Sequence, residues 1–312
     1  MNSDVYIRVS YKNWLYQLQH DGLLLKYIPH QDIQLCTVAV KTNPRALKYV
    51  QVQNDEMCLL AVSNCGDTLK YVKNKTHRIC LKALENEGLA IRYYIDNPTA
   101  EMCLTAVRQN GFALKFIQQQ NEFLCKTAVF NNPYAIKYVH DKTQEICLLA
   151  VRADGNTLQY IPEPTDLIYE EAVKSKPEAI QYIHDQSEYI LRLALKKKPY
   201  VIQYVKECHE AVWLDAIRKN SSFIKFLKNK NEKLIIHAIR QNPTSIKYLD
   251  EQPEHLCRLA ISLDYEAIAA VKHQTESLCL YALSKSKHAI NFIKQKYKSE
   301  IVKNKYLELY GG

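Results

Sequence analysis

Residues 121–139 read NEFLCKTAVFNNPYAIKYV, and variants of this stretch recur along almost the whole chain of 312 residues. Its central alanine returns at a step of 22 residues, apart from one step of 23 between Ala83 and Ala106. We number each unit from this alanine as position 0. The series is Ala39, Ala61, Ala83, Ala106, Ala128, Ala150, Ala172, Ala194, Ala216, Ala238, Ala260 and Ala282. A fixed period of this length is the signature of a repeat architecture.

The apolar residues of each unit follow the period of two short helices. In the first segment they fall at positions −4, −3, 0 and +1, which is one face of an α-helix and not the alternation of a strand. One example is Met57, Cys58, Ala61 and Val62. The second segment has a small residue at +7 and aliphatic residues at +8 and +11. Helices of roughly eight to ten residues are marginal alone in water, so we expect them to be stabilised by stacking.

Capping signals mark the start of both helices. A side chain that accepts a hydrogen bond followed by proline is typical of a helix N-terminus, and glycine fills the proline position in other units. The pairs are Asn43-Pro44, Asn132-Pro133 and Asn242-Pro243, and the glycines are Gly66, Gly88, Gly111 and Gly155. The first helix has an acceptor and an acid at its start, in Thr143 with Glu145, Thr275 with Glu276 and Asn121 with Glu122.

The repeats predict an all-α fold, an α-solenoid of about thirteen helix-turn-helix units. We predict a single domain over 1–312, with an N-terminal cap at 1–22, repeats at 23–293 and a basic C-terminal cap at 294–312. The extra residue between Ala83 and Ala106 should fall in a loop near 94–97.

Eight of the ten cysteines occupy position −3, at Cys36, Cys58, Cys80, Cys103, Cys125, Cys147, Cys257 and Cys279. Tyr169, Leu191, Trp213 and Ile235 take this position in other units, which indicates a core position where free cysteine acts as a small hydrophobe. Equivalent residues of stacked helices lie about 9–10 Å apart, beyond the ~7 Å that a disulfide allows. We therefore predict buried free thiols and a reducing, cytoplasmic location.

The composition agrees with a cytoplasmic protein. No apolar run is long enough for a membrane span, and the first residues lack the pattern of a signal peptide.

Motifs for catalysis, cofactors and metals do not stand out. The ten histidines form no metal-binding pair, and no phosphate-binding glycine pattern is present. The tight cluster Cys208-His209-Glu210 lies between units, and we interpret it as a solvated loop. We expect no enzymatic activity, no cofactor and no metal.

Charge is the main signal that packing does not explain, with a formal net charge of +9. Basic residues recur at two positions, +9 in the second helix and +2 in the first. The candidate partner-binding residues are Arg108, Arg152, Lys174, Lys196, Arg218 and Arg240 at +2, and Lys48, Lys70, Lys115 and Lys137 at +9. Such rows can simply offset the negative ends of helix dipoles. Alternatively, they bind an acidic protein surface or a nucleic-acid backbone.

Aromatic residues follow the +9 row at +10. The members are Tyr27, Tyr49, Tyr71, Tyr93, Phe116, Tyr138, Tyr160, Tyr182, Tyr204, Phe226, Tyr248 and Phe292. Replacement of tyrosine by phenylalanine favours packing between units over base stacking. Together with the lysines, a surface row of rings is also suited to recognition.

The unit x-C-L-x-A-V-x-x-N-[PG]-x-A-L-K-Y-V resembles short helical repeats of a domain-of-unknown-function family, found in giant DNA viruses of amoebae and in some bacteria. The resemblance covers about 23–293 and implies a repeat scaffold of viral origin, in a host cytosol or virus factory. We expect a non-catalytic protein-protein interaction scaffold without membrane contact. The alternative is binding of nucleic acid or another polyanion through the rows of Lys and Arg.

Overall fold

The structure is a computed structural model that describes residues 2–93, 97–206, 209–227 and 231–311, with the backbone alone for residues 2–9. In these ranges the secondary structure consists of helices without strands, and it follows a repeat of roughly 22 residues. This confirms the predicted all-α solenoid class. The chain divides into two compact units, Met1–Ser175 and Lys176–Gly312. The prediction of one domain over 1–312 stays a prediction.

Each repeat begins with an α-helix of ten residues that spans positions −6 to +3. The α-helices are α1 (Asn2–His20), α2 (Ile33–Thr42), α3 (Asp55–Asn64), α4 (His77–Asn86), α5 (Ala100–Gln109), α6 (Glu122–Asn131), α7 (Gln144–Ala153), α8 (Asp166–Ser175), α9 (Glu188–Lys197), α10 (Glu210–Lys219), α11 (Glu232–Gln241), α12 (Glu254–Leu263), α13 (Glu276–Lys285) and α14 (Glu300–Tyr310). In α2 to α13, positions −4, −3, 0 and +1 are buried as predicted, except for the half-buried Tyr169.

The second segment of each repeat is a 3-10 helix, whereas the sequence predicted a helix of eight to ten residues. The 3-10 helices are Gly22–Tyr27, Pro44–Tyr49, Gly66–Tyr71, Gly88–Tyr93, Gly111–Phe116, Pro133–Tyr138, Gly155–Tyr160, Pro177–Tyr182, Pro199–Tyr204, Ser221–Phe226, Pro243–Tyr248, Tyr265–Ala270, Lys287–Asn291 and Gln295–Tyr297. The apolar positions +8 and +11 are three residues apart, which suits the three-residue turn of this helix. An extended residue at +11, such as Val50, ends the segment after six residues.

The predicted caps are present. Asn132 Oδ1 accepts a hydrogen bond from the amide of Tyr134 at 3.0 Å, and Asn121 Oδ1 accepts one from the amide of Leu124 at 2.8 Å. These side chains satisfy amides that lack a partner within the helix. The loop expected near 94–97 lies outside the described residues, apart from Asn97, which has a φ of 23°.

A row of glutamine amides at position −8, half-buried or buried, joins successive repeats. Gln120 Nε2 donates to the carbonyl of Ile117, in the repeat of Ala106, at 3.1 Å. It also donates to the carbonyl of Tyr138, in the repeat of Ala128, at 3.0 Å. Its Oε1 accepts from the amide of His140 at 3.1 Å. The same arrangement recurs at Gln31, Gln53, Gln186, Gln252 and Gln274. Because the segments between helices are extended, these bonds satisfy backbone groups that have no helical partner.

The glycines at position +5 allow a second junction. A Cβ added to Gly111 would lie 2.3 Å from the carbonyl oxygen of Ala128 in the next repeat, so a side chain does not fit without a shift. Its amide donates to Asn131 Oδ1 at 2.7 Å, while Asn131 Nδ2 donates to the carbonyl of Arg108 at 2.9 Å. Asn86 and Gln109 make the equivalent contacts to Gly66 and Gly88.

The eight cysteines at position −3 are buried and free, which confirms that this is a core position. Cys65 is half-buried. Of the cluster Cys208-His209-Glu210, which the sequence placed in a loop, Cys208 lies outside the described residues, whereas His209 directly precedes α10 and Glu210 is the first residue of that helix. Within the described part of the chain, no group of His, Cys, Asp and Glu side chains is arranged to hold a metal ion. None of the described helices has both the length and the apolar character needed to cross a membrane.

Candidate interaction surface

The +9 residues lie one residue before the end of each 3-10 helix, where the helix ends in the aromatic residue at +10. Lys48, Lys70, Lys115 and Lys137 are all exposed, as predicted. A cation there suits the negative end of the helix. The position also places each lysine beside the ring that follows it.

Each described +9 cation in Met1–Ser175 lies over an aromatic ring. We call these cations and rings the cation–aromatic row: Lys26, Tyr27, Lys48, Tyr49, Lys70, Tyr71, Arg92, Tyr93, Lys115, Phe116, Lys137, Tyr138 and Tyr160. Cation-to-centroid distances run from 4.5 Å at Lys26 and Tyr27 to 6.0 Å at Lys115 and Tyr138. At this range the ring quadrupole attracts the cation.

Three of the cations bridge two repeats. Lys137 Nζ lies 5.9 Å from the ring centroid of Tyr138 and 5.8 Å from that of Tyr160. Lys70 likewise lies over Tyr71 and Tyr93, and Lys115 over Phe116 and Tyr138. The lysines remain exposed, but their ammonium groups lie against the rings and follow them in a row.

The rings also pack between repeats, as the sequence favoured. The ring at +10 meets the residue at +6 of the preceding repeat, as in Tyr138 with Phe112 and Tyr160 with Tyr134, both edge-on at 6.1 Å between centroids. Tyr138 is half-buried, whereas Phe116 remains 38% exposed. The rings at +10 thus serve packing and surface at once.

One carboxylate of the chain is bound within the row. Asp67, at position +6, accepts from Lys70 Nζ at 2.5 Å, from Arg92 Nη2 at 2.7 Å and from the Tyr93 hydroxyl at 2.8 Å. Its side chain is only 17% exposed. Desolvation raises the pKa of Asp67, but the hydrogen bonds from Lys70, Tyr93 and Arg92 outweigh it and lower that pKa to about 2. Lys70 and Arg92 thus share one internal carboxylate.

Other lysines of the row have no such partner. Lys26, Lys48, Lys115 and Lys137 form no ion pair with the residues that the structure describes. Within the same ranges, the hydroxyl of Tyr138 makes no hydrogen bond. In Lys176–Gly312, Lys225 and Lys247 also lie over rings, 4.7 Å from Phe226 and 4.9 Å from Tyr248, and form no ion pair with described residues.

The +2 row is exposed too, but acids of the chain neutralise half of it. Arg152 Nε binds Glu171 Oε2 at 2.7 Å, and Lys174 Nζ binds Glu170 Oε1 at 2.8 Å. The hydrogen bonds that Lys174 donates to Glu170 and Glu171 raise its pKa to about 12.

In Lys176–Gly312, Arg218 Nη1 lies 3.7 Å from Asp215 Oδ1. Arg108, Lys196 and Arg240 form no ion pair with described residues, and their side chains have no ring beneath them. The structure thus separates two rows that the sequence presented as equivalent.

Sequence reasoning missed Asp67 and the glutamines at −8. The glutamines repeat with the period, so aligning the units would have revealed them. Asp67 carries no such signal, because position +6 holds Arg45, Phe112 or Tyr134 in other repeats.

Comparison with family models matches residues 121–164 to a model described as "Domain of unknown function (DUF4116)". This match covers two of the repeats and supports the expected relation to a family of unknown function. Comparison with curated proteins gave no match, and comparison with solved structures gave none either.

Proposed function

We propose that the protein is a non-catalytic scaffold that binds another protein through the cation–aromatic row. The observation that supports this most directly is that Lys26, Lys48, Lys115 and Lys137 lie over rings but have no carboxylate partner among the described residues. Lysines fixed by rings lose less side-chain entropy when a ligand binds. Regular repeats place such groups at equal intervals, which suits a partner that contacts several repeats.

The row fits a protein better than a nucleic acid. Proteins that bind single strands without sequence preference stack bases on exposed aromatic faces. Tyr138 has Lys115 and Lys137 above its ring and Phe112 at its edge, so its ring serves the lysines rather than a base. We also propose that the protein is of viral origin and acts in the cytoplasm, as the sequence led us to expect.

The proposal is tested by affinity capture with the full-length chain from a nuclease-treated lysate of the organism that encodes it. The variant Lys48→Gln/Lys115→Gln/Lys137→Gln should lose the captured protein, because it removes three unpaired cations of the row. The control variant Lys12→Gln/Lys41→Gln/Arg108→Gln removes the same charge from exposed residues outside the row and should retain it.

Equal retention by both variants would show that the row is not the binding surface. A capture that disappears with nuclease alone would favour the nucleic-acid alternative.

A further inference from the structure

The Asp67 contacts show how the cation–aromatic row binds a carboxylate. The site is built by two successive +9 cations, Lys70 and Arg92, and by the hydroxyl of the ring at +10, Tyr93. Both cations also lie over that ring, at 5.5 Å and 4.7 Å from its centroid. Asp67 thus accepts two charge-assisted hydrogen bonds and one from a hydroxyl. Such a set of donors binds an anion strongly.

The same three positions recur two repeats later with the carboxylate missing. Lys115 and Lys137 are the successive +9 cations, and both lie over Tyr138, at 6.0 Å and 5.9 Å from its centroid. Position +6, which holds Asp67 in the first case, is here the apolar Phe112. Among the described residues, neither ammonium group has an ion pair and the Tyr138 hydroxyl has no hydrogen bond.

We propose that Lys115, Lys137 and Tyr138 bind a carboxylate side chain from an acidic segment of the partner, as Lys70, Arg92 and Tyr93 bind Asp67. This inference rests on the proposed function and adds the chemistry of the partner. Phe112 forms an apolar side of the site, packed edge-on against Tyr138. An acidic segment with an apolar residue next to an Asp or Glu would therefore match both features.

The first test measures binding of a fluorescent oligoglutamate peptide to the full-length protein by anisotropy at low salt. Lys115→Gln/Lys137→Gln should weaken binding about fivefold or more, as expected for the loss of two exposed charge pairs. Lys41→Gln/Arg108→Gln changes the net charge equally at position +2 and should leave the affinity nearly unchanged. Tyr138→Phe keeps the ring and should weaken binding about twofold through loss of the hydroxyl.

A second variant tests the site by a gain of binding. Asp67→Ala removes the internal carboxylate with most of its side chain and leaves Lys70, Arg92 and Tyr93 open to an external one. The peptide should then bind about two- to fivefold more tightly, as one further site becomes available. A loss of folding does not produce tighter binding, so this result separates the site from general damage to the protein.

The outcomes distinguish the site from the function. Peptide binding that is unchanged in Lys115→Gln/Lys137→Gln and in Tyr138→Phe, relative to the control variant, overturns the proposed site. Oligothymidylate serves as a phosphate probe in the same assay. If Lys115→Gln/Lys137→Gln loses binding of oligothymidylate but keeps its affinity for the peptide, the site binds phosphate and not carboxylate. If the lysate partner still binds Lys115→Gln/Lys137→Gln, the scaffold function stands and the carboxylate site fails.

Discussion

Among the single residues, Asp67 both links two repeats and remains ionised although it is largely buried. It joins the repeat of Ala61 to the repeat of Ala83 through Arg92 and Tyr93, which lie 25 and 26 residues further along the chain. Burial alone would favour its neutral form, yet two cations and a hydroxyl keep it ionised. A carboxylate in such surroundings makes the stability of the protein depend on pH.

The pH dependence of Asp67 follows from the direction of its shift. Its pKa falls from 3.8 to about 2 on folding, so its contribution is complete above pH 4 and is lost as the pH falls towards 2. The linkage amounts to about 2 kcal/mol. Urea unfolding should therefore show the wild type more stable than Asp67→Asn at pH 7, with the difference shrinking between pH 4 and pH 2. A difference independent of pH in this range would contradict the ion-pair explanation.

The cysteines differ in reactivity according to their burial. Desolvation, followed by the charge of Glu276, raises the pKa of Cys279 to about 11, whereas Cys65 is half-buried at the start of a 3-10 helix. Since the thiolate is the reactive form, iodoacetamide should modify Cys65 in the native protein well before Cys279. Site-resolved mass spectrometry measures both rates, and equal rates would show that the core thiols are exposed by local opening.

At the scale of the elements, extended segments between short helices need partners for their backbone groups. The glutamines at −8 supply them, with donors to two carbonyls and an acceptor for one amide. The cysteine at −3 adds to this contact, since Cys125 Sγ lies 3.5 Å from Gln120 Oε1. This network explains how 3-10 helices of six residues persist, although the hydrogen-bond geometry of such helices is poorer than that of α-helices.

Removal of one glutamine tests this explanation. Gln120→Leu keeps a similar volume but leaves the carbonyl of Tyr138 and the amide of His140 without their partner, which should cost about 2 kcal/mol. Gln118→Leu is the matched control, because Gln118 is exposed and makes no hydrogen bond to the described residues. Urea midpoints report the two effects; similar shifts for both variants would mean that the hydrogen bonds of the Gln120 amide are not needed.

At the scale of the whole molecule, the chain forms two compact units, Met1–Ser175 and Lys176–Gly312. In repeat proteins, stability is approximately a sum over repeats and the interfaces between neighbours. A fragment with several complete repeats therefore keeps most of its stabilising contacts.

A fragment of residues 1–175 tests this. It contains the cation–aromatic row and should retain its helical circular dichroism and a cooperative thermal transition, because α1 to α8 lie within one unit. It should also bind the oligoglutamate peptide as the full chain does. A disordered fragment would show that the repeats of Lys176–Gly312 are required for folding, in agreement with the prediction of a single domain.

The period, the buried faces of the α-helices, the caps and the exposure of the two basic rows could all be predicted from the sequence. These features depend on residues within one repeat, where spacing and local hydrogen bonding decide the conformation. The predicted length of eight to ten residues was wrong for the second segment, because three-residue spacing is compatible with both kinds of helix over six residues. Tertiary contacts, in contrast, select the cations that bind an acid of the chain, because Asp67 meets Arg92 and Tyr93 through the register of stacked repeats. That register also separates the +9 row, ordered by rings and partly unpaired, from the +2 row, of which half is bound by acids of the chain.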